Sequence, residues 1–160
     1  MPGSHARYVA HLGRGSADID EEQEIEMQEQ VADAIARDAG ILEAFGMQVT
    51  RVDSGSCDIE CVVPANLVNA GGFAHGSIIY SIMDTACAYA LRSAGVSGVT
   101  ISGNVNYTRG GRAGSRMRGS VSVVSQGKRV ASLRGEVHVL EGEDWRLAGH
   151  GSFLFQLRDV

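Results

Sequence analysis

With 160 residues the chain has room for one domain with a sizeable core and too little for two. A formal charge of -5 argues against a nucleic-acid-binding surface, and no apolar run has the length of a membrane span or a signal peptide. The three cysteines, Cys57, Cys61 and Cys87, are odd in number and form no CxxC pair, so they imply neither a disulfide framework nor a metal site and fit a reducing, cytoplasmic setting.

Residues 1–17 read as a flexible tail and residues 18–39 as an N-terminal helix, leaving 40–160 as a single domain. The stretch Asp20 to Ala39 is rich in Glu, Gln, Ala and Ile and holds no Gly or Pro. Its apolar positions Ile25, Val31, Ile35 and Ala39 make a thin stripe, as expected of a surface or interface helix. Acidity is concentrated here: Asp18 to Glu29 carries seven carboxylates and no base, so the remainder is close to neutral. GILEAFG then reads as a short helical turn stopped by Gly46.

MQVTRVD, a turn at SGS and CDIECVV predict a hairpin in which Cys57, Ile59, Cys61 and Val63 alternate against Asp58, Glu60 and Val62. PANLVNAGGFA is a loop. After it, HGSIIYSIMDTACAYAL predicts a long helix over about residues 75–94, apolar on most of its circumference. VTISGNVNY, SRMRGSVSVVS, RVASLRGEVHVL and RLAGHGSFLFQL follow as four strands, the middle two joined by a tight turn at QGK. Strands grouped around one long helix indicate an α+β fold with an antiparallel sheet wrapping that helix. One curved sheet leaves part of such a helix uncovered, and a second copy of the chain is expected to cover the rest.

Asp84, in the middle of the apolar helix, needs an explanation, because a carboxylate taken out of water finds a partner, takes up a proton or does chemistry. The helix starts after a glycine-rich loop near His75-Gly76, and free N–H groups at a helix N-terminus stabilise an anion, including the oxyanion of acyl transfer. A carboxylate acting as base or nucleophile on the same carbonyl completes a minimal hydrolytic site. Within one helix the two cannot meet, since eight residues separate them by about 12 Å. Two antiparallel copies bring Asp84 of one near Gly76 of the other, which predicts a homodimer with two interface sites.

The run from Asn69 through Ala-Gly-Gly-Phe-Ala to His75, Gly76 and on to Asp84 resembles the signature of hotdog-fold acyl-CoA thioesterases, specifically the phenylacetate-pathway type. The downstream Val99–Arg109 stretch is similar to the next strand of that family, and the resemblance extends over residues 40–157 in element order. It implies a hotdog fold, hydrolysis of a small or medium acyl- or aryl-CoA, and no cofactor beyond the CoA carried by the substrate. It further implies that Asp84 is the general base or nucleophile and that the Gly76 N–H polarises the thioester carbonyl. Asn69 would orient the water or the carboxylate, His75 would place the thioester, and Thr100 falls where related enzymes carry a hydroxyl near the carboxylate. Dimers of the family often pair into tetramers. The chain departs from the pattern at Ser77, where a glycine is usual, and after Arg109, where a proline is usual.

Arg109, Arg112, Arg116 and Arg118, with Lys128 and Arg129, form a basic cluster in an acidic chain. Arg109 and Arg112 are the candidates for holding the phosphates of CoA; a solvated face that balances the acidic helix is the plainer reading. The alternative function is a non-catalytic acyl-CoA or acyl-carrier binding protein on the same scaffold. Neither a nucleic acid nor a membrane is an expected partner.

Overall fold

The computed structural model describes residues 21–158, so the expected tail and residues 18–20 lie outside the described residues. The alternating segments form six strands: β1 (Met47–Asp53), β2 (Ser56–Val62), β3 (Ser97–Tyr107), β4 (Arg116–Gln126), β5 (Val130–Glu141) and β6 (Asp144–Arg158). All pair antiparallel in one curved sheet of order β1-β2-β4-β5-β6-β3, which leaves β1 and β3 as its edges. Three helices, α1 (Glu21–Arg37), α2 (Ala39–Ala44) and α3 (Gly76–Ser93), complete the fold. The long helix α3 packs against every strand of the sheet, the hotdog arrangement that the resemblance implies.

The core lies between α3 and the sheet. Ile78, Ile82, Met83 and Ala86 of the helix are fully buried, as are Ile59, Met117, Leu133 and Phe153 of the strands. The close approach of helix to sheet depends on Gly119 of β4, where any Cβ would collide with the Ile82 side chain. Two polar ties fix the C-terminal half of α3. The buried Ser93 hydroxyl lies within bonding distance of the Asp53 and Ala90 carbonyls and accepts from the Gly55 N–H at 3.1 Å, joining the helix end to the β1–β2 turn. The Tyr89 hydroxyl donates to Asp38 at 2.9 Å, between α1 and α2, and its burial pushes the phenol well above its ordinary pKa.

As expected for a helix under one curved sheet, α3 is not covered all round: Ser77, Tyr80, Ser81, Asp84, Thr85 and Ala88 share a half-open face, at the spacing of one helical stripe. Other details differ from the sequence reading. In VTISGNVNY the sequence pattern sets Ile101, Gly103, Val105 and Tyr107 on one face against Ser102, Asn104 and Asn106, but a bulge between Thr100 and Ser102 takes Ile101 out of this alternation and leaves it 53% exposed. The basic cluster divides, because β4 spans eleven residues, or about 36 Å at 3.3 Å each, and puts Lys128 and Arg129 at the opposite end of the sheet from Arg116. On α1, Val31 and Ala34 are buried against the core, whereas Ile25 points outward.

Candidate active site

Helix α3 begins with His75 as its N-cap. The backbone of His75 is extended (φ -59, ψ 140), and its Nδ1 accepts from the Ser77 N–H at 3.2 Å while lying 2.9 Å from Ser77 Oγ. The Ile78 N–H donates to the His75 carbonyl at 2.9 Å. Of the first three N–H groups of the helix, Gly76 alone therefore keeps a donor without a partner among the described residues. The Tyr107 ring of β3 lies against this glycine, where a Cβ would come within 3.2 Å of it. Ser77, the departure from the usual glycine, thus takes part in the cap without occupying the free donor.

The loop before the helix is held by Asn69. Its Oδ1 accepts from the Gly71 N–H at 2.9 Å and the Phe73 N–H at 3.2 Å, and its backbone N–H bonds the Phe73 carbonyl at 2.7 Å. The side-chain amide nitrogen of Asn69 has no protein partner among the described residues. Phe73 pairs with Arg112 in an isolated bridge, and the Arg112 guanidinium stacks over the Phe73 ring at 4.3 Å. Arg109, one strand end away, is engaged with Glu141 at 3.3 Å. Of the two arginines proposed for phosphate, Arg112 is thus free of a carboxylate and Arg109 is not.

Two turns further along α3, Asp84 lies half-buried on the open face. Thr100 Oγ1 on β3 donates to Asp84 Oδ1 at 2.7 Å, so the hydroxyl orients one carboxylate oxygen and leaves the other open. Tyr80, one turn before Asp84, packs edge-on against Phe153 at 5.2 Å between ring centroids. Burial, followed by the nearby Asp84 charge, pushes the Tyr80 phenol up, so it stays protonated. Cys87, on the next turn, is fully buried, and its thiol is pushed far up by burial, which leaves it a core residue and no nucleophile.

The chain therefore brings together Asp84 with Thr100, and separately Asn69, His75, Gly76 and Arg112. The two groups remain eight residues apart on one helix, about 12 Å at 1.5 Å per residue. Of the aromatic residues here, Tyr107 carries no site signal in the sequence, because only the packing of β3 brings its ring to Gly76. The groove of about 600 Å³ lined by Asn104, Ser122, Arg134, Glu136, His150 and Ser152 is on the outer face of the sheet and involves none of these groups.

Residues 71–145 match the model of the Thioesterase superfamily. Over 88 residues the chain is 30% identical to the acyl-coenzyme A thioesterase PaaI of Escherichia coli (strain K12), a match spanning 55% of this chain and 63% of that protein. The solved E. coli PaaI protein, from the phenylacetic acid degradation operon, superposes with a TM-score of 0.75 at 23% identity, over 84% of this chain and 95% of that one. A mutant of the phenylacetic acid degradation protein PaaI from Thermus thermophilus gives a TM-score of 0.67 at 26% identity, over 73% and 97%. The chain spans somewhat under two thirds of the length of the curated relatives it matches.

Proposed function

We propose that the chain is a thioesterase of the hotdog-fold, PaaI-like type and that it hydrolyses acyl-CoA thioesters at sites shared between two copies of itself, a reading supported by the family-model match and the PaaI relatives. The observation that carries this reading is the unbonded Gly76 N–H at one end of α3 and the Thr100-held Asp84 carboxylate on its open face. Opposite a second α3, Asp84 of one protomer and Gly76 of its partner converge on one carbonyl. The edge strand β3 supports this assembly, because its eleven residues expose an unpaired backbone edge together with Val99, Ile101 and Tyr107. Pairing of two dimers into a tetramer is part of the same proposal.

In the reaction, Asp84 takes a proton from water as the water oxygen attacks the thioester carbon. The Gly76 N–H of the partner stabilises the oxyanion of the tetrahedral intermediate. Its collapse breaks the C–S bond, and the CoA thiolate departs and is then protonated. A thiolate leaves readily, so the proposed chemistry draws on no metal or organic cofactor. Asn69 orients the attacking water or the carboxylate with its free amide, His75 shapes the donor end by capping the helix, and Arg112 faces the phosphates of CoA. Residues 40–160 form the catalytic domain of this reading, with 18–39 as an appended helix. The three cysteines, all free and buried, suit a reducing compartment such as the cytoplasm, and no helix among the described residues is long and apolar enough to cross a membrane.

The test is thiol release from a panel of short, medium and aromatic acyl-CoAs by the wild type and by Asp84→Asn. Turnover lost in the substituted protein, with its assembly intact, supports the proposal. Tight binding of CoA esters without turnover by either protein would replace it with a binding role.

A further inference from the structure

Arg116 and Arg118, the two arginines that follow Arg112, stay together although Arg129 does not. Arg116 and Arg118 both project from the outer face of β4 and share one carboxylate, Glu60 of β2, at 2.9 and 3.2 Å. Both guanidiniums also stack on Trp145, Arg118 at 4.5 Å and Arg116 at 5.9 Å from the ring centroid. Their bonds hold Glu60 below the usual carboxylate range, so it stays ionised and the trio carries one net positive charge. Arg146, beside Trp145, is matched by Asp144 at 2.9 Å and adds no excess.

Position gives this cluster its meaning. Trp145 lies four residues along β6 from Gly149, the cross-strand partner of Tyr107, whose ring rests on Gly76. At about 3.3 Å per residue the tryptophan is about 13 Å along the sheet from the donor end of α3. Arg112, stacked on Phe73 beside that donor, is four residues from Arg116, and the Ser115 carbonyl between them is tied to the Val63 N–H at 3.0 Å. A track of guanidiniums thus starts at the mouth of the site and rounds the sheet end onto a planar aromatic platform.

Resting on the acyl-CoA reading above, we infer that Arg116, Arg118 and Trp145 form the subsite for the adenosine 3′-phosphate end of CoA. Guanidinium forks match phosphate oxygens in bidentate fashion, and a purine base stacks on an indole or on a guanidinium plane. CoA presents both chemistries at one end: a purine ring with a phosphate on its ribose, and a diphosphate that leads back toward the thioester. The diphosphate passes Arg112, and the long pantetheine arm spans the distance to Gly76. Glu60 holds the two guanidiniums side by side, and its single charge leaves part of their donor capacity for the phosphate.

Trp145 is the only tryptophan in the sequence, so its emission reports on the subsite directly. Titrating the wild-type protein with adenosine 3′,5′-bisphosphate, which lacks pantetheine and acyl group, is expected to change that emission saturably, with weakening by salt. Emission that stays flat up to millimolar probe would overturn the inference, whether or not the protein hydrolyses thioesters. In the second arm, Arg116→Gln/Arg118→Gln is compared with the wild type on the best acyl-CoA and on the N-acetylcysteamine thioester of the same acyl group. The loss of kcat/KM is expected to be about tenfold or more larger for the CoA ester, equivalent to about 1.4 kcal/mol. Equal losses on both substrates would reject the subsite while leaving the thioesterase reading intact. No hydrolysis of either substrate by the wild type would reject that reading, and the emission titration would still decide the subsite.

Discussion

The hydroxyl of Thr100 holds the carboxylate of Asp84 at 2.7 Å, and it does so from the edge strand that the proposed dimer covers. The bond spans the open face of α3, so the same contact that fixes the orientation of the carboxylate also ties the central helix to the sheet edge. Replacing Thr100 by Val keeps the branched shape and removes the donor. The net value of such a bond to a charged group is about 1.5–3 kcal/mol, so kcat is expected to fall by about tenfold to a hundredfold. KM for the acyl-CoA should move much less, because the hydroxyl touches the carboxylate and not the substrate. Thr100→Ser, which restores the donor, should recover most of the rate. A Val variant with unchanged kcat would remove Thr100 from the site.

The cysteines make a prediction about pH. Burial pushes the Cys61 thiol up to about 11 and those of Cys57 and Cys87 further still, so all three remain protonated in the fold. Thiols in the unfolded chain titrate near ~8.5. The fold therefore binds more protons than the unfolded chain above that pH. The stabilisation is complete below the unfolded value and is lost as pH rises toward the folded ones. The urea midpoint should fall between about pH 8 and pH 11, and a thiol reagent at pH 8 should label none of the three until the protein unfolds. Rapid labelling of Cys87 in the folded protein would contradict its placement in the core.

Much of this was legible in the chain. The order of helix, two strands, long helix and four strands follows from periodicity and turn residues in the chain. What the sequence hid depends on tertiary contact. Ile101 fits a buried alternation on paper, but the bulge beside Thr100 turns the pattern and leaves the side chain exposed. The several free N–H groups expected at the head of α3 reduce to one, because the His75 ring and carbonyl take the next two. Arg109 and Arg112 look equivalent in sequence, and only the fold brings Glu141 to the first and Phe73 to the second.

The bedding of α3 on the sheet is tested at Gly119. Alanine there would place its methyl group into Ile82, in a part of the core where the helix side chain is fully buried. Overpacking of this kind costs about 1–3 kcal/mol. Replacing the opposing side chain by Ile82→Ala removes the γ-methyl in the way and creates the missing room, so the double variant should be more stable than the sum of the two single losses predicts. Denaturant unfolding of the four proteins measures the coupling. Strictly additive losses would mean that helix and strand do not approach at this point.

The shared site makes the strongest demand, because its two halves belong to different protomers. Gly76→Pro deletes the one free N–H. Proline is suited to the first position of a helix, and the extended backbone of His75 (φ -59, ψ 140) is the conformation that a following proline requires. The helix should persist, although the ring must be accommodated beside Tyr107, so a circular dichroism melt accompanies the assay. Gly76→Pro and Asp84→Asn are each expected to be inactive as homodimers. Unfolded together at equal concentrations and refolded, half of the dimers are mixed, and each mixed dimer holds one intact site beside one doubly damaged one. About a quarter of wild-type activity should therefore return. If both groups acted within one protomer, every site in the mixture would carry one lesion and the refolded sample would stay inactive.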